Sequence, residues 1–143
     1  MDKVLPDKWI RKAISTAINN MVVDTKTIPC YDYRVTGNAV KNYTLITTQS
    51  NEVDKSIKCG YRWESSVLIE VFSSYSASGN TGSRLLADNI LNSVRDLTKS
   101  LTLDVASGLE VIDLDQSFPN DLVATSNNEN IYRKFIRIEL LIN

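Results

Sequence analysis

Two hydrophobic patterns of different period lie side by side between Glu64 and Leu101, and they constrain the fold more than any other stretch. The first, VLIEVF at positions 67–72, is apolar on both faces of a strand except at Glu70. The second is an amphipathic helical stripe made by Leu86, Ala87, Ile90, Leu91, Val94, Leu97 and Leu101. Between them, Ser73–Gly82 consists mostly of Ser, Gly, Asn and Thr, which predicts a loop, and Ser83 is a candidate helix N-cap. We therefore expect a central strand covered by a helix.

The flanking sequence predicts one more helix and four more strands. An apolar stripe from Ile10 to Met21 predicts a helix capped by Asp7. Strands are expected at 28–35, 42–49, 109–116 and 131–142, and the last of these alternates clearly. The order α-β-β-β-α-β-β predicts a single domain over residues 1–143. Its class is α/β (α+β), with two helices packed on a mostly antiparallel or mixed sheet.

Two long, mostly polar segments carry apolar side chains that a solvated loop does not need. The segment 50–63 predicts an extended hairpin arm, and the segment 117–130 predicts a second extended loop. Because their apolar side chains would otherwise be exposed to water, we expect a contact with another subunit. The alternative for the arm is that it folds back on its own domain. The interface candidates are Val53, Ile57, Tyr61, Trp63, Phe118, Leu122 and Val123.

The composition argues against most catalytic chemistry and against targeting to a membrane. The chain has no histidine, which removes Ser-His and Cys-His pairs and histidine-containing metal sites, and its formal net charge is −1, which gives no general affinity for nucleic acid. Cys30 and Cys59 cannot complete a four-thiolate zinc site; we expect buried thiols, with a disulfide as the alternative. The N-terminus lacks a signal-peptide core, and no apolar run approaches the ~20 residues of a membrane span. We expect a soluble protein made in a cytoplasm.

Two local patterns resemble sites for chemistry. The sequence GNTGS at 79–83 stands where a helix N-terminus could hold an anion, but the lysine of a phosphate loop is missing because Ser83 follows Gly82 directly. A flexible connector is favoured, and a small anion-binding module is the alternative function. Asp113 and Asp115 would place two carboxylates on one strand face, yet no third metal ligand is evident. We therefore predict no catalytic, cofactor-binding or metal-binding residue, and no enzyme; the alternative is an enzyme that uses the two aspartates with a metal.

The order of these patterns resembles the tail terminator (tail completion) proteins of double-stranded DNA bacteriophages. In that family an N-terminal helix, a strand and an arm precede a strand of the form apolar-x-apolar-x-apolar-aromatic-Ser. A Gly-containing turn, a second helix and two strands linked by a loop then follow. The matching segments are 10–21, 43–48, VLIEVFS at 67–73, 79–82, 86–97, 111–114 and RKFIRIEL at 133–140. The family usually has Trp where this chain has Phe72, a change that keeps apolar packing and loses the indole N–H.

The resemblance implies a tail-terminator-like fold and a structural role in a virion, at the head–tail junction or tail. Such subunits form a ring through which DNA passes, with six copies for a true terminator. The two extended loops leave open a neck or collar ring of a short-tailed phage, for which twelve copies are possible. The implied partners are copies of the chain, neighbouring portal, neck or tail-tube proteins, and duplex DNA bound non-specifically in passage. No membrane partner or cofactor is implied, and the protein would be made in the host cytoplasm. A closed ring needs two different, complementary patches on each subunit.

Overall fold

A mixed sheet with both helices on one face is the main feature of this computed structural model, which describes residues 4–32, 42–54, 62–76, 83–126 and 129–143. The helices are α1 (Asp7–Ile18) and α2 (Ser83–Thr98). The strands are β1 (Met21–Val23), β2 (Lys26–Ile28), β3 (Cys30–Asp32), β4 (Asn42–Asp54), β5 (Arg62–Ser76), β6 (Val111–Ser117), β7 (Leu122–Ser126) and β8 (Glu129–Ile142). The α+β class expected from the sequence is confirmed.

The main sheet has six strands in the described part of the chain, in the order β3-β4-β5-β8-β6, with β7 also paired to β8. Only β3 and β4 run parallel; the other neighbours are antiparallel. Since β5 pairs with β8 from Glu129 to Ile142, β6 and β7 share the other edge of β8. The strand predicted from VLIEVF is therefore central, as expected.

The hydrophobic core lies between the sheet and the two helices. Val67 and Ile69 of β5 stand opposite Ile138 and Ile136 of β8, and all four are fully buried. The helices cover this surface with residues spaced by four: Ile10, Ile14 and Ile18 from α1, and Leu86, Ile90 and Val94 from α2. Burial of each such side chain contributes roughly 1.5–3 kcal/mol, so this layer dominates folding stability.

The first helix differs from the prediction at both ends. Its N-cap position is Pro6, which makes no side-chain capping hydrogen bond, and Asp7 is already helical. The helix ends at Ile18, and Met21 belongs to β1 because Asn20 takes a left-handed φ of 60°. Strands β1 and β2 form a small separate hairpin that was not predicted, joined by Asp24 and Thr25, both with positive φ as a type I′ turn requires.

The strand and the helix predicted between Glu64 and Leu101 also have different bounds in the structure. Residues 73–76 extend β5 rather than forming a loop, while 77–82 lie outside the described residues. The second helix ends at Thr98, and Leu97, expected in the buried stripe, is 44% exposed. Thr98 is buried instead, because its hydroxyl donates a hydrogen bond to the Val94 carbonyl oxygen at 2.7 Å and so needs no water.

The two polar segments contain more strand than the sequence predicted. Residues 50–54 pair with 62–66 as a continuation of β4 and β5, which forms the base of the expected hairpin arm. In the segment 117–130, residues 122–126 are a strand, β7, rather than a loop. The predicted strand 28–35 is divided at Pro29 between β2 and β3, and residues 33–35 lie outside the described part of the chain.

Candidate subunit interface

The face of the sheet opposite the helices carries a patch of aromatic side chains. Tyr43 and Phe72 are cross-strand neighbours whose rings stack with centroids 4.6 Å apart. Tyr31, delivered by the parallel strand β3, meets Tyr43 edge to face at 5.6 Å. Half-buried Leu68 and Phe135 continue the apolar surface across β5 and β8. In the described part of the chain, no helix covers this patch.

A buried carboxylate orders the aromatic patch. Glu70, the polar break in the central strand, has an Oε1 atom 2.8 Å from the Arg133 Nε atom. The guanidinium carbon of Arg133 also lies 5.9 Å from the centre of the Phe72 ring. Burial raises the pKa of the Tyr43 phenol, and the nearby Glu70 carboxylate raises it further. Glu70 is thus paired within its own subunit. Of the three rings in contact, Tyr43 is buried, and Tyr31 and Phe72 are half-buried and are the ones that a partner could contact.

Five carboxylates occupy two neighbouring rows at one end of the same face. Glu52 stands directly opposite Glu64, Asp115 directly opposite Glu139, and Asp113 opposite Leu141. Together they line a concavity of about 770 Å³. Like charges in direct opposition destabilise a sheet. Asp113 and Asp115 share a face and are exposed, as predicted, but the described residues contain no group of three or more carboxylates or thiols arranged to hold a metal ion.

The edge made by β7 presents the most exposed of those predicted interface residues that the structure describes. Phe118, Leu122 and Val123 are 50%, 52% and 60% exposed. They lie just before and at the start of β7, whose outer edge has no strand partner among the described residues. An apolar, unpaired edge is a surface that another chain can cover. The three residues together are named the β7 edge below.

A buried lysine anchors the β7 edge to the helices. The Lys134 Nζ atom lies 2.6 Å from Asp88 Oδ1 on α2 and 2.7 Å from Asp121 Oδ2, next to Leu122. Burial acts to lower the pKa of Lys134, but the hydrogen bonds to Asp121 and Asp88 outweigh it, and the pKa is raised. The lysine therefore stays charged and holds α2, β8 and the start of β7 together.

At the base of the arm, the structure gives Trp63 a role within its own domain. Val53 stands opposite Trp63, both are half-buried, and Trp63 packs against the hydrophobic core. Ile57 and Tyr61, the other two arm candidates, lie outside the described residues. A contact between the arm and another subunit remains a prediction.

A second concave surface, which the sequence did not indicate, lies between α1 and the residues that follow α2. This α1 groove, of about 520 Å³, has a mixed lining. Its apolar residues are Trp9, Ala13, Ala17, Leu97, Leu101, Leu103 and Val105, and its polar residues are Lys12, Thr16, Ser100, Thr102 and Asp104. The Lys12 Nζ atom donates a hydrogen bond to Asp104 Oδ2 at 2.7 Å along its wall, and this bond lowers the pKa of Asp104. Lys8 and Lys12 place their ammonium nitrogens 4.8 and 5.5 Å from the centre of the Trp9 ring.

The remaining sequence signals gain no support as sites. Burial raises the pKa of the Cys30 thiol, which disfavours the reactive thiolate, and Cys59 lies outside the described residues. Most of the GNTGS segment also lies outside them, so anion binding there stays a hypothesis. Neither helix in the described ranges is long and apolar enough to cross a membrane.

Comparison with known proteins gives a weak likeness among solved structures. No family model matches the chain, and no curated protein matches it. Among solved structures, the chain is similar to a chain of a structure described as the virion of a native gene transfer agent (GTA) particle. That likeness has a TM-score of 0.49 and 16% sequence identity, and it covers 78% of each chain. A likeness of this size establishes neither the fold nor the function of the present chain.

Proposed function

We propose that this chain is a structural subunit of an oligomeric ring at a phage head–tail junction, a tail terminator (tail completion) protein through whose ring DNA passes. The observation that carries the proposal is the pair of unlike open edges on one sheet. Within the described residues, β3 ends the sheet on one side, and β6 and β7 end it on the other. Subunits that join head to tail need two different complementary surfaces, whereas a two-fold dimer uses the same surface twice.

The β7 edge supports assembly on one side of the subunit. Its three large apolar side chains are exposed although Lys134, Asp88 and Asp121 hold the neighbouring backbone in place. A surface that is already ordered loses little conformational entropy when it is covered by a partner. The sequence resemblance to tail terminators supports the same role, because it includes the order of helix, arm, central strand and second helix.

The charge distribution supports passage of DNA rather than retention of DNA. The carboxylates of the helix-free face, Glu52, Glu64, Asp113, Asp115 and Glu139, are all exposed and would repel phosphates. A channel lined by lysine and arginine would instead bind the duplex through counterion release. We infer that this face borders the channel.

Native mass spectrometry and negative-stain electron microscopy of the purified chain test the proposal. The expected result is a closed ring, with a mass of about 96 kDa for six copies of 16.0 kDa or about 192 kDa for twelve. Six copies would support a terminator, and twelve a neck or collar ring. A monomer or a two-fold dimer over the whole accessible concentration range would overturn the ring.

A further inference from the structure

We propose that two free copies of this chain pair as a two-fold dimer along the outer side of β6 and β7, two strands that together are named the β6–β7 edge. In this dimer, β6 of each copy lies antiparallel beside β7 of the other, and the two sheets become one. The contact goes beyond the ring proposed above and does not require it. Because the dimer covers the β7 edge, it must open before that edge can serve in a ring.

The β6–β7 edge is nearly one continuous strand. Both strands run antiparallel to β8; β6 ends opposite Arg137, and β7 begins opposite Arg133. The break between them holds four residues, 118–121, against three residues of β8, so a single extra residue interrupts the edge, as in a β-bulge. A rotation of 180° about an axis normal to the sheet at this break exchanges the two ends of the edge. It therefore places β6 of one copy beside β7 of the other, with the helices of both copies on the same face.

The pairing in β8 identifies the backbone groups that point outward from this edge. Asn143, just after β8, exchanges two backbone hydrogen bonds with Glu110, at 2.9 and 3.0 Å. Since β8 keeps an uninterrupted register with β5, its odd-numbered residues all direct their backbone groups toward β6 and β7. The edge residues that stand opposite even-numbered residues of β8 therefore direct theirs outward. They are Leu114 and Gln116 of β6, and Val123 and Thr125 of β7.

The two-fold rotation brings these outward backbone groups together. In one register, Leu114 of each copy faces Thr125 of the other and Gln116 faces Val123, so all four residues find a backbone partner. The Leu114 N–H now donates a hydrogen bond to the exposed Asp113 Oδ1 atom at 3.0 Å, and a carbonyl oxygen of the second copy would replace that carboxylate. The strand at the other end of the sheet, β3, has only three residues with which to pair.

The β7 half of the edge has none of the features that keep edge strands apart. Its sequence, LVATS, contains no charged residue and no proline, and its register with β8 has no bulge. An apolar, regular edge strand of this kind is a template for pairing with another chain. Leu122 and Val123 are 52% and 60% exposed and point to opposite faces of the sheet. A strand laid beside β7 contacts both of them, whereas a partner on one face contacts only one.

Charge complementarity favours β7 over β6 as the partner of β6. The register places Asp115 opposite Ala124 of the second copy, on the helix-free face. Beyond that small side chain stands Arg133 of β8, about 10 Å from β6 across two strand spacings. Arg133 is 47% exposed and contacts Glu70 through Nε, so its other N–H groups can reach Asp115. A contact of β6 with β6 would instead bring Asp113 and Asp115 of two copies together.

Cysteine cross-linking tests the register directly. In a Cys30→Ser, Cys59→Ser background, Ser117→Cys is combined with Leu122→Cys, because these positions face each other between the two copies. Within one chain they lie opposite residues of β8 that are four positions apart, ~13 Å along the strand, which is too far for a disulfide. Mild oxidation of the dilute protein should therefore link two copies of 16.0 kDa and give a single product of about 32 kDa on a non-reducing gel.

The matched control combines Ser117→Cys with Val123→Cys. Val123 is the next residue of β7 and is slightly more exposed than Leu122, but it points to the opposite face of the sheet. In the proposed register its sulfur cannot approach position 117 of the second copy, so we expect no linked dimer. The comparison therefore reports the register of the contact rather than the general reactivity of an exposed thiol.

The possible outcomes separate this dimer from the ring. A ring of the expected mass without a linked dimer, or with an equal yield from the control, would overturn the pairing and leave the ring standing. A linked dimer from a chain that forms no ring at any concentration would support the pairing and overturn the ring. A ladder of higher multiples would show a head-to-tail contact at this edge and would overturn the two-fold arrangement.

A charge reversal supplies an independent readout. Asp115→Lys turns the attraction to Arg133 into repulsion at two symmetric places, and it should raise the dimer dissociation constant at least ~10-fold in sedimentation equilibrium. Glu52→Lys is the matched control: Glu52 is also an exposed carboxylate of the helix-free face with a glutamate directly opposite, but it lies on β4, away from the edge. It should leave the dissociation constant unchanged. An unaltered dimer in Asp115→Lys, or equal weakening in both variants, would contradict the pairing.

Discussion

Two charged side chains, Glu70 and Lys134, are buried within the described part of the sheet, and each has a fixed counter-ion. A buried charge without a partner is expensive, so these pairs are required once the charges are buried. The two pairs lie in different parts of the sheet. Glu70 and Arg133 lie within the uncovered aromatic patch, whereas Lys134 fixes the backbone that carries the β7 edge.

Replacement of Lys134 by Met should lower the free energy of unfolding by about 1–2 kcal/mol at neutral pH. The charge-assisted hydrogen bonds to Asp88 and Asp121 are lost, but both carboxylates are partly exposed and regain water. Urea unfolding followed by circular dichroism measures the difference. Lys12→Met is the matched control, because it breaks the exposed Lys12–Asp104 pair and should change stability by less than ~0.5 kcal/mol.

Above neutral pH, the stabilising contribution of Lys134 should only decrease as the pH rises. Its pKa is raised in the fold, so its stabilising contribution is complete below the unfolded-state pKa, about 10.4, and is lost as pH rises through the folded-state pKa. The stability gap between wild type and Lys134→Met should thus be constant from neutral pH to about pH 9 and should close above that. A gap that instead closed on acidification below neutral, while the carboxylates remained ionised, would show that Lys134 acts otherwise.

At the scale of elements, long periodic segments could be predicted and short ones could not. The stripe of α2 and the alternation of β8 extend over 16 and 14 residues, enough to define a buried face. Strands β1 and β2 have three residues each, which is too few to show alternation, and their Asp24-Thr25 turn lacks the glycine that usually marks a hairpin. Such elements form because the core beside them is already in place.

In the candidate interface, too, some features could be predicted from the sequence and others could not. Phe118, Leu122 and Val123, the interface candidates of the second polar segment, are exposed, and their contact with another subunit stays a prediction. The aromatic patch was not predicted, because it requires the registers of β3, β4 and β5 together, and only one of its rings, Phe72, belongs to the central strand pattern. The α1 groove joins residues almost a hundred positions apart, so no local pattern could reveal it.

Trp63→Ala should destabilise the domain itself. Trp63 stands opposite Ile142 and packs against the core at the base of the arm, so its removal leaves a cavity and should lower the free energy of unfolding by about 2–4 kcal/mol. Thermal unfolding measures this, and Tyr61→Ala is the comparison for the outer arm. If Trp63 served only to contact a neighbouring subunit, the melting temperature would be unchanged and ring formation would be lost.

At the scale of the whole molecule, the net charge of −1 is the sum of basic and acidic side chains that lie on different surfaces. The helix-free face carries two rows of carboxylates but also Arg133 and Arg137. On the opposite layer, Arg11 and Lys12 of α1 are paired with Asp32 and Asp104. Each layer therefore carries charges of both signs, and the rows of carboxylates form a local acidic region within one face. Overall charge therefore says less about its partners than the placement of each charge.

The last prediction concerns the β7 edge as a contact between the subunits of the ring. Phe118→Ser combined with Leu122→Ser removes two large apolar side chains. Each is about half exposed, so we expect little effect on folding. If they anchor the next subunit, each could contribute ~2 kcal/mol to association, and the loss would recur at every junction of a ring. We expect a monomer by native mass with an unchanged melting temperature.

The control for this pair is Val22→Ser combined with Leu85→Ser, two apolar side chains that are at least as exposed but lie on β1 and at the start of α2. That variant should keep the ring. If both double variants dissociated equally, general surface hydrophobicity rather than the β7 edge would drive assembly. An intact ring from the Phe118 and Leu122 variant would place the subunit contact elsewhere. The aromatic patch and the α1 groove would then be the next surfaces to test, since both leave apolar side chains at least partly exposed in the described part of the chain.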